Sequence, residues 1–205
     1  MFTGIVTAIG TVDAIEVLGK NHGGQDKRFT VTTPFDPATI DLGASIAHDG
    51  CCLTVTTLGA TEDGASYTID ASTETLNLTT LGQWGTGTRI NLERSLKLGD
   101  EMGGHLVSGH VDGMARITKR EDGENSSLFE IEAPDDLAKY IAKKGSVCLQ
   151  GTSLTVNSVE GNRFTLMLIP HTLAVTTWGQ RKVGDHLNLE IDQMARYAER
   201  LMASH

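Results

Sequence analysis

Gly50-Cys51-Cys52-Leu53-Thr54-Val55 and Gly151-Thr152-Ser153-Leu154-Thr155-Val156 are two versions of one pattern, and they decide the fold. Other pairs surround them in the same order. Thr3-Gly4-Ile5-Val6 returns as Ser108-Gly109-His110-Val111. Thr75-Leu76, followed by Thr79-Thr80-Leu81-Gly82, returns as Thr172-Leu173, followed by Thr176-Thr177-Trp178-Gly179. Ile90-Asn91-Leu92-Glu93 returns as Leu187-Asn188-Leu189-Glu190. The separation is roughly a hundred residues, longer than the ~20–50 of a solenoid repeat. The chain is therefore a duplicated domain. Two similar domains can offer two similar sites to two similar molecules.

The duplication divides the 205 residues into halves of about 95, each enough for a modest core. Expected boundaries are 1–97 and 98–192 for the two domains, with 193–205 as a terminal helix. Hydrophobic residues at 39% and charged residues at 21% are ordinary for a globular protein. A net charge of −9, with no basic run, argues against nucleic acid. No apolar stretch approaches the ~20 residues that span a bilayer. Met1-Phe2-Thr3-Gly4-Ile5 has no basic leader region, so the expectation is a soluble cytoplasmic protein with reduced thiols.

Both halves read mainly as strands. Thr11–Val17, Ser66–Ile69, Leu128–Glu132 and Arg163–Ile169 are rich in β-formers, and several alternate. About six strands per half suit a small closed barrel, which leaves no long edge exposed. Asp135–Lys144 reads as a helix with acids first and lysines last, ended by Gly145. Pro37–Ile40 is its weaker counterpart, and Thr73–Leu78 and His171–Thr176 read as single helical turns. Gln193–Met202 is a helix with Met194, Tyr197, Ala198 and Leu201 on one stripe. That stripe packs either on its own barrel or in a seam between subunits.

Several kinds of chemistry are excluded. Cys51 and Cys52 are adjacent, so on a strand they face opposite ways; His105 and His110 also fall on opposite faces of a regular strand. No zinc site is expected, and no nucleophile elbow, Walker A or dinucleotide fingerprint occurs. What remains is a matched set of small hydroxyl and thiol groups. Cys52 and Thr54 share a face; Ser153 and Thr155 are their equivalents; Thr3 matches Ser108, and Thr75 matches Thr172. Such groups suit a neutral polyhydroxylated ligand, because each hydroxyl donates and accepts. Threonine also favours strands for its own sake, so the pattern alone is compatible with a plain core strand. Two positions break the symmetry: His110 stands where the first half has Ile5, and Asp192 where it has Ser95. His110 is a candidate proton acceptor near neutral pH.

Met1–Val6, Asp49–Val55, Gly103–Gly113 and Gly151–Val156 together resemble the signature segments of the riboflavin synthase alpha-chain family, over almost the whole chain. The resemblance implies two tandem six-stranded Greek-key β-barrels, an all-β fold, and a C-terminal helix that builds a homotrimer. It implies that two molecules of 6,7-dimethyl-8-ribityllumazine react by four-carbon transfer, giving riboflavin and 5-amino-6-ribitylaminouracil without metal or redox cofactor. An association with lumazine synthase is a further expectation. The N-terminal barrel of one subunit is expected to face the C-terminal barrel of the next.

Carried over by resemblance, the first site comprises Gly4, Ile5, Val6, Ser45, Cys52, Leu53, Thr54, Asp70, Ala71, Ser72, Thr73, Glu74, Thr75, Gly109, His110 and Val111. The second comprises Lys144, Ser153, Leu154, Thr155, Ile169, Pro170, His171, Thr172, Leu173 and Asp192. Cys52, His110, Ser153, Thr155 and Asp192 are expected closest to the chemistry. This chain has His171 where many family members carry Glu, and a small Ala71-Ser72-Thr73 stretch. The alternative is a non-catalytic lumazine-binding antenna protein of the same duplicated fold.

Overall fold

The structure is a computed structural model that describes residues 1–21 and 24–203. The first unit contains β1 (Ala8–Asn21), β2 (Gly24–Thr33), β3 (Ser45–His48), β4 (Cys51–Thr61), β5 (Gly64–Ala71) and β6 (Arg89–Arg94). They close into a barrel in the order β1-β2-β5-β4-β3-β6, with every described pairing antiparallel. Helix α1 (Thr73–Leu78) follows β5, and a short 3-10 turn at Pro37–Thr39 precedes β3.

The second unit repeats this order with one difference. Its strands are β7 (Gly113–Asp122), β8 (Ser127–Glu132), β9 (Ser146–Leu149), β10 (Thr152–Thr155), β11 (Ser158–Glu160), β12 (Arg163–Leu168) and β13 (His186–Ile191). The sheet runs β10-β9-β13-β7-β8-β12-β11. Its two edges, β10 and β11, are the two halves of the strand matching β4. Where β4 passes through a bulge between Val55 and Thr57, its counterpart breaks at Val156-Asn157. Val156 there exchanges backbone hydrogen bonds with Lys144 and Gly145, and the Asn157 amide turns to Thr165. The expected six-stranded barrel thus becomes a curled seven-stranded sheet.

Each unit has its own core. Phe29 meets Trp84 edge-on at 5.2 Å in the first, and Phe129 meets Trp178 at 5.1 Å in the second. The expected helix over 135–144 is shorter: α2 spans only Asp135–Ala138. Ile141 and Gly145 then make tight i−3 bonds, and Lys144 takes a positive φ of 67° so that its amide reaches Val156. Strand pairing overrides the favourable charge order. Helix α3 (Pro170–Val175) follows β12, and α4 (Gln193–Met202) ends the described chain. The α4 stripe does not pack on its own barrel: Met194, Tyr197 and Leu201 are 77%, 64% and 72% exposed. The helix is held by its other side, through Arg196 on Asp112 and through Glu199 on Lys139 and Tyr140. Among the described residues no helix is long and apolar enough to cross a membrane.

The two units meet across an approximate two-fold axis. Asp49-Gly50 and Gln150-Gly151 form the two-residue hairpin turns β3–β4 and β9–β10, with all four φ angles positive. The turns lie back to back, so close that a Cβ on Gly50 would sit 2.8 Å from the Gly151 nitrogen, and the reverse. Two equivalent asparagines close the joint reciprocally. Asn91 donates through Nδ2 to the Gln150 carbonyl at 2.8 Å and accepts at Oδ1 from the Thr177 amide at 2.7 Å. Asn188 donates to the Asp49 carbonyl at 2.9 Å and accepts from the Thr80 amide at 2.7 Å. Both are 1% exposed.

Removing such a side chain strands two buried backbone groups, each costing about 1–3 kcal/mol. Asn188→Ala is expected to lower the unfolding free energy by roughly 2–5 kcal/mol in urea titrations. A loss below about 1 kcal/mol would mean that water replaces the amide and that the joint does not depend on it.

Candidate ligand sites on the two units

Alternation along the strands builds the first site. Cys51, Leu53 and Val55 point into the barrel, so Cys52 and Thr54 face outward. Ser45 on β3 pairs in register with Thr54. Ile69 lies inward opposite Val55, which leaves Thr68 and Asp70 outward on β5. Arg28 on β2 grips Asp70 at two points, Nε to Oδ1 at 2.7 Å and Nη2 to Oδ2 at 2.8 Å. Ala71 is buried, Ser72 caps α1 through the Thr75 amide, and Thr73 is tied by its amide and hydroxyl to Asp26. Glu74 is exposed in the first turn of α1.

The second site follows the same plan. Ser153 and Thr155 face outward between buried Thr152 and Leu154, and Thr155 pairs with Ser146. Lys144 is exposed just before β9. Ile169 caps α3, whose first residues are Pro170 and His171; Thr172 is half-buried, and Leu173 packs on the core. One contrast is chemical. Arg28 precedes core Phe29 and pairs with Asp70; Leu128 precedes core Phe129 and pairs with Met167. The first face therefore carries an ion pair where the second is apolar, with Met167 48% and Ile169 56% exposed.

Two segments outside the strands complete the sites by crossing over. The amide and hydroxyl of Thr3 donate to Glu93 Oε1 at 2.6 and 2.8 Å, and the Gly4 amide donates to Oε2 at 2.9 Å. The Gly4 carbonyl then accepts from the Ser153 amide at 2.7 Å. Equivalently, the amides of Ser108, Gly109 and His110 donate to the Glu190 carboxylate at 2.6, 2.9 and 3.0 Å. The Gly109 carbonyl accepts from the Cys52 amide at 2.8 Å, and Val111 packs on the first core. Each segment is thus bound by its own unit's last strand and lies on the other unit's outward strand. Both glycines have positive φ, and a Cβ on either would lie 2.6 Å from the Cβ of Ser153 or Cys52.

The structure sets Gly4 apart from Cys52, although the resemblance groups Gly4, Ile5 and Val6 with it in the first site: Gly4 sits against Ser153, because Glu93 draws the N-terminal segment toward the second unit. Gly109 does lie against Cys52 and brings exposed His110 to that edge. Asp192 accepts from the Met194 amide at 2.9 Å and so caps α4 as it leaves β13.

Four further residues stand at these candidate sites outside the set that the resemblance carries over. Arg28, Glu93 and Glu190 stand beside recognised positions but are set by tertiary pairing. For His105 the spacing from His110 argues only against zinc. Its Nδ1 lies 2.7 Å from Ser153 Oγ, and buried Nε2 has no partner among the described residues. The signal was Gly104: a Cβ there would lie 2.0 Å from the Thr3 carbonyl oxygen. Burial lowers the His105 pKa, opposed by the Asp192 charge, so the ring is neutral near pH 7. Cys51 is inert, its thiol pushed up to about 12 by burial.

Burial pushes Glu190 up to about 7 against the pull of three amides, and raises Glu93 as well. The folded state then binds the Glu190 proton more tightly than the unfolded chain. Its contribution to stability is complete below the unfolded pKa of 4.5 and is lost as pH rises through about 7. The loss is on the order of 3 kcal/mol. Buried Asp49, raised to about 6, adds a loss in the lower part of that window. Buried His48, its pKa pushed down to about 3 by burial, works the other way and gains stability up to its unfolded value of 6.5. The Glu190 contribution is therefore read by difference, and in urea titrations from pH 5 to pH 8 Glu190→Gln should lose less stability than the parent chain. An unchanged fall in the variant would assign the titration elsewhere.

Comparison with known proteins agrees with this geometry. Residues 3–95 and 108–192 each match the family model described as the lumazine binding domain. The chain is 55% identical to a riboflavin synthase of Brucella abortus (strain 2308), over 98% of both chains. It is 42% identical to one of Mycobacterium tuberculosis (strain ATCC 25618 / H37Rv), over 100% of this chain and 99% of that one. In fold it is similar to LumP solved with riboflavin, at a TM-score of 0.81 and 22% identity, covering 93% of this chain and 99% of that one. LumP solved with 6,7-dimethyl-8-(1'-D-ribityl) lumazine gives 0.78, at 22% identity and the same coverage. With two matched lumazine-binding domains and full-length relatives of this identity, the chain belongs to the riboflavin synthase family.

Proposed function

We propose that this chain is a riboflavin synthase that joins two molecules of 6,7-dimethyl-8-ribityllumazine, moving four carbons from one to the other. The observation that carries the reading is a pair of sites built on one plan but chemically unlike. Two identical reactants need two matching cradles, and their different roles need the cradles to differ. Cys52 answers Ser153, His110 answers Ile5, and the Arg28–Asp70 pair answers Leu128–Met167. A protein that only holds one lumazine has no use for the second constellation of Ser153, Thr155, His105 and Asp192. The full-length match to riboflavin synthases points the same way.

Binding on the outward faces leaves hydroxyls of Ser45, Thr54, Ser153 and Thr155 to donate to and accept from ligand oxygens and nitrogens. Neutral His105, hydrogen-bonded to Ser153, is suited to take a proton through that hydroxyl or at its free Nε2. His110 offers a second acceptor beside Cys52. Holding both rings together supplies orientation, which lowers the barrier without a cofactor. The exposed α4 stripe is a seam between subunits, which brings the first unit of one chain against the second unit of another.

His105→Asn should lower the turnover for riboflavin formation by about 10²–10⁴-fold, with a smaller change in lumazine affinity. Equal losses in both would make His105 a binding group only. Cutting the chain after Asp192 should give monomers with little activity; a truncated trimer would remove α4 from assembly. Asp192→Ala and His110→Ala should each be nearly inactive alone and recover activity when mixed and allowed to exchange subunits. Exchange confirmed by mass without recovery would place both reactants on one chain.

A further inference from the structure

Glu93 and Glu190 are 6% and 2% exposed, so neither carboxylate reaches an outward face. By strand order each belongs to its own unit. Glu93 on β6 pairs with Ala47 on β3, which pairs with Cys52 on β4. Glu190 on β13 pairs with Cys148 on β9, which pairs with Ser153 on β10. The side-chain hydrogen bonds of both glutamates run the other way.

Glu93 holds Thr3 by amide and hydroxyl, and the Thr3 carbonyl then accepts the His105 amide at 3.1 Å. The next carbonyl, of Gly4, accepts the Ser153 amide at 2.7 Å. Both partners of the His105–Ser153 hydrogen bond thus hang by their backbone amides on the segment that Glu93 holds. The packing there is close: a Cβ on Gly104 would lie 2.0 Å from the Thr3 carbonyl oxygen and 2.8 Å from the Ser153 Cβ. That segment cannot slide without moving both. Glu190 does the equivalent for the first site. It takes the amides of Ser108, Gly109 and His110, and the Gly109 carbonyl accepts the Cys52 amide at 2.8 Å.

We propose that Glu93 and Glu190 are the positioning residues of the two sites, and that they act crosswise. Glu93, of the first unit, sets the His105–Ser153 pair of the second site. Glu190, of the second unit, sets His110 against Cys52 in the first. Neither touches the ligand. Consecutive amides turned toward one point form a concavity for an anion, and an ionised carboxylate fills it with acceptors alone. Glutamine keeps the shape but turns an NH₂ toward one of those amides, so a bond is lost and the segment loosens. The assignment rests on the two-site reading given above.

The test is subunit exchange between full-length chains, assayed at pH 8, above the Glu190 pKa of about 7. Glu93→Gln and Glu190→Gln should each lower turnover by about 10²-fold, the scale of a small misplacement at a reacting centre. Glu190→Gln should recover activity when mixed with Asp192→Ala, although both changes lie in the second unit, and should not recover with His110→Ala. Glu93→Gln should recover with His110→Ala and not with Asp192→Ala. Random assembly pairs two intact sites at about a quarter of the interfaces, so recovery should approach that share of the parent activity. Recovery with the opposite partners, with both or with neither would overturn the crossed assignment. Mixing His110→Ala with Asp192→Ala separates the two readings: no recovery there sinks the shared site, and the crossing is then decided by NMR of the unliganded chains. Glu93→Gln should shift the Ser153 amide more than the Cys52 amide, and Glu190→Gln the reverse; equal shifts or the opposite order would overturn the proposal. Thr3→Val removes one hydrogen bond to Glu93 and keeps both carboxylates, so it serves where Glu93→Gln fails to fold. It should recover with the same partner as Glu93→Gln, and recovery with the other would overturn the assignment.

Discussion

Two asparagine side chains hold the molecule in its working shape. Asn91 and Asn188 each donate a hydrogen bond to the other unit's turn and accept one from its helical loop. Because the four bonds are reciprocal and buried, neither unit can rotate without breaking bonds on both sides of the axis. A buried amide cannot recover those partners from water, so the geometry is stiff. The glycine-on-glycine contact at Gly50 and Gly151 brings the turns close enough for the bonds to form.

That stiffness explains why the crossing segments work. Glu93 and Glu190 each gather consecutive amides and present the next carbonyl to the opposite unit. The carboxylates are costly to bury, as their raised pKa values express, and the amide hydrogen bonds offset part of that cost. Without the joint, Gly4 and Ser153 would not meet, nor would Gly109 and Cys52. Each outward face is therefore a product of both halves. A change in one crossing segment acts on the site of the other unit.

Much of the fold was legible. Repetition of Gly50–Val55 as Gly151–Val156 marked the duplication, and alternation marked the strands and their outward residues. Cys51 in and Cys52 out follows from strand geometry alone. Other features were not legible for stated reasons. The charge order in Asp135–Lys144 favoured a longer helix, but the backbone of Lys144 and Gly145 was taken by Val156. His105 lies in the Gly103–Gly113 segment, but its hydrogen-bond partner is Ser153, distant in sequence. The Asp49-Gly50 pair is a local hairpin signal, but its packing against Gly151 in the joint is not local.

What the sequence by itself determined was a count and a chemistry: two domains, mostly strands, each with a small polar strand face, closed by an amphipathic helix. Those follow from periodicity, residue type and repetition, which are local properties. What only the tertiary structure decided was ownership. Gly4 serves Ser153, Gly109 serves Cys52, and the α4 stripe is left facing solvent rather than its own barrel. The reason is that each carboxylate of Glu93 and Glu190 takes up segments roughly eighty to ninety residues away. No local pattern records a partner at that distance, and the approximate symmetry makes the two possible partners look alike until the chain is folded.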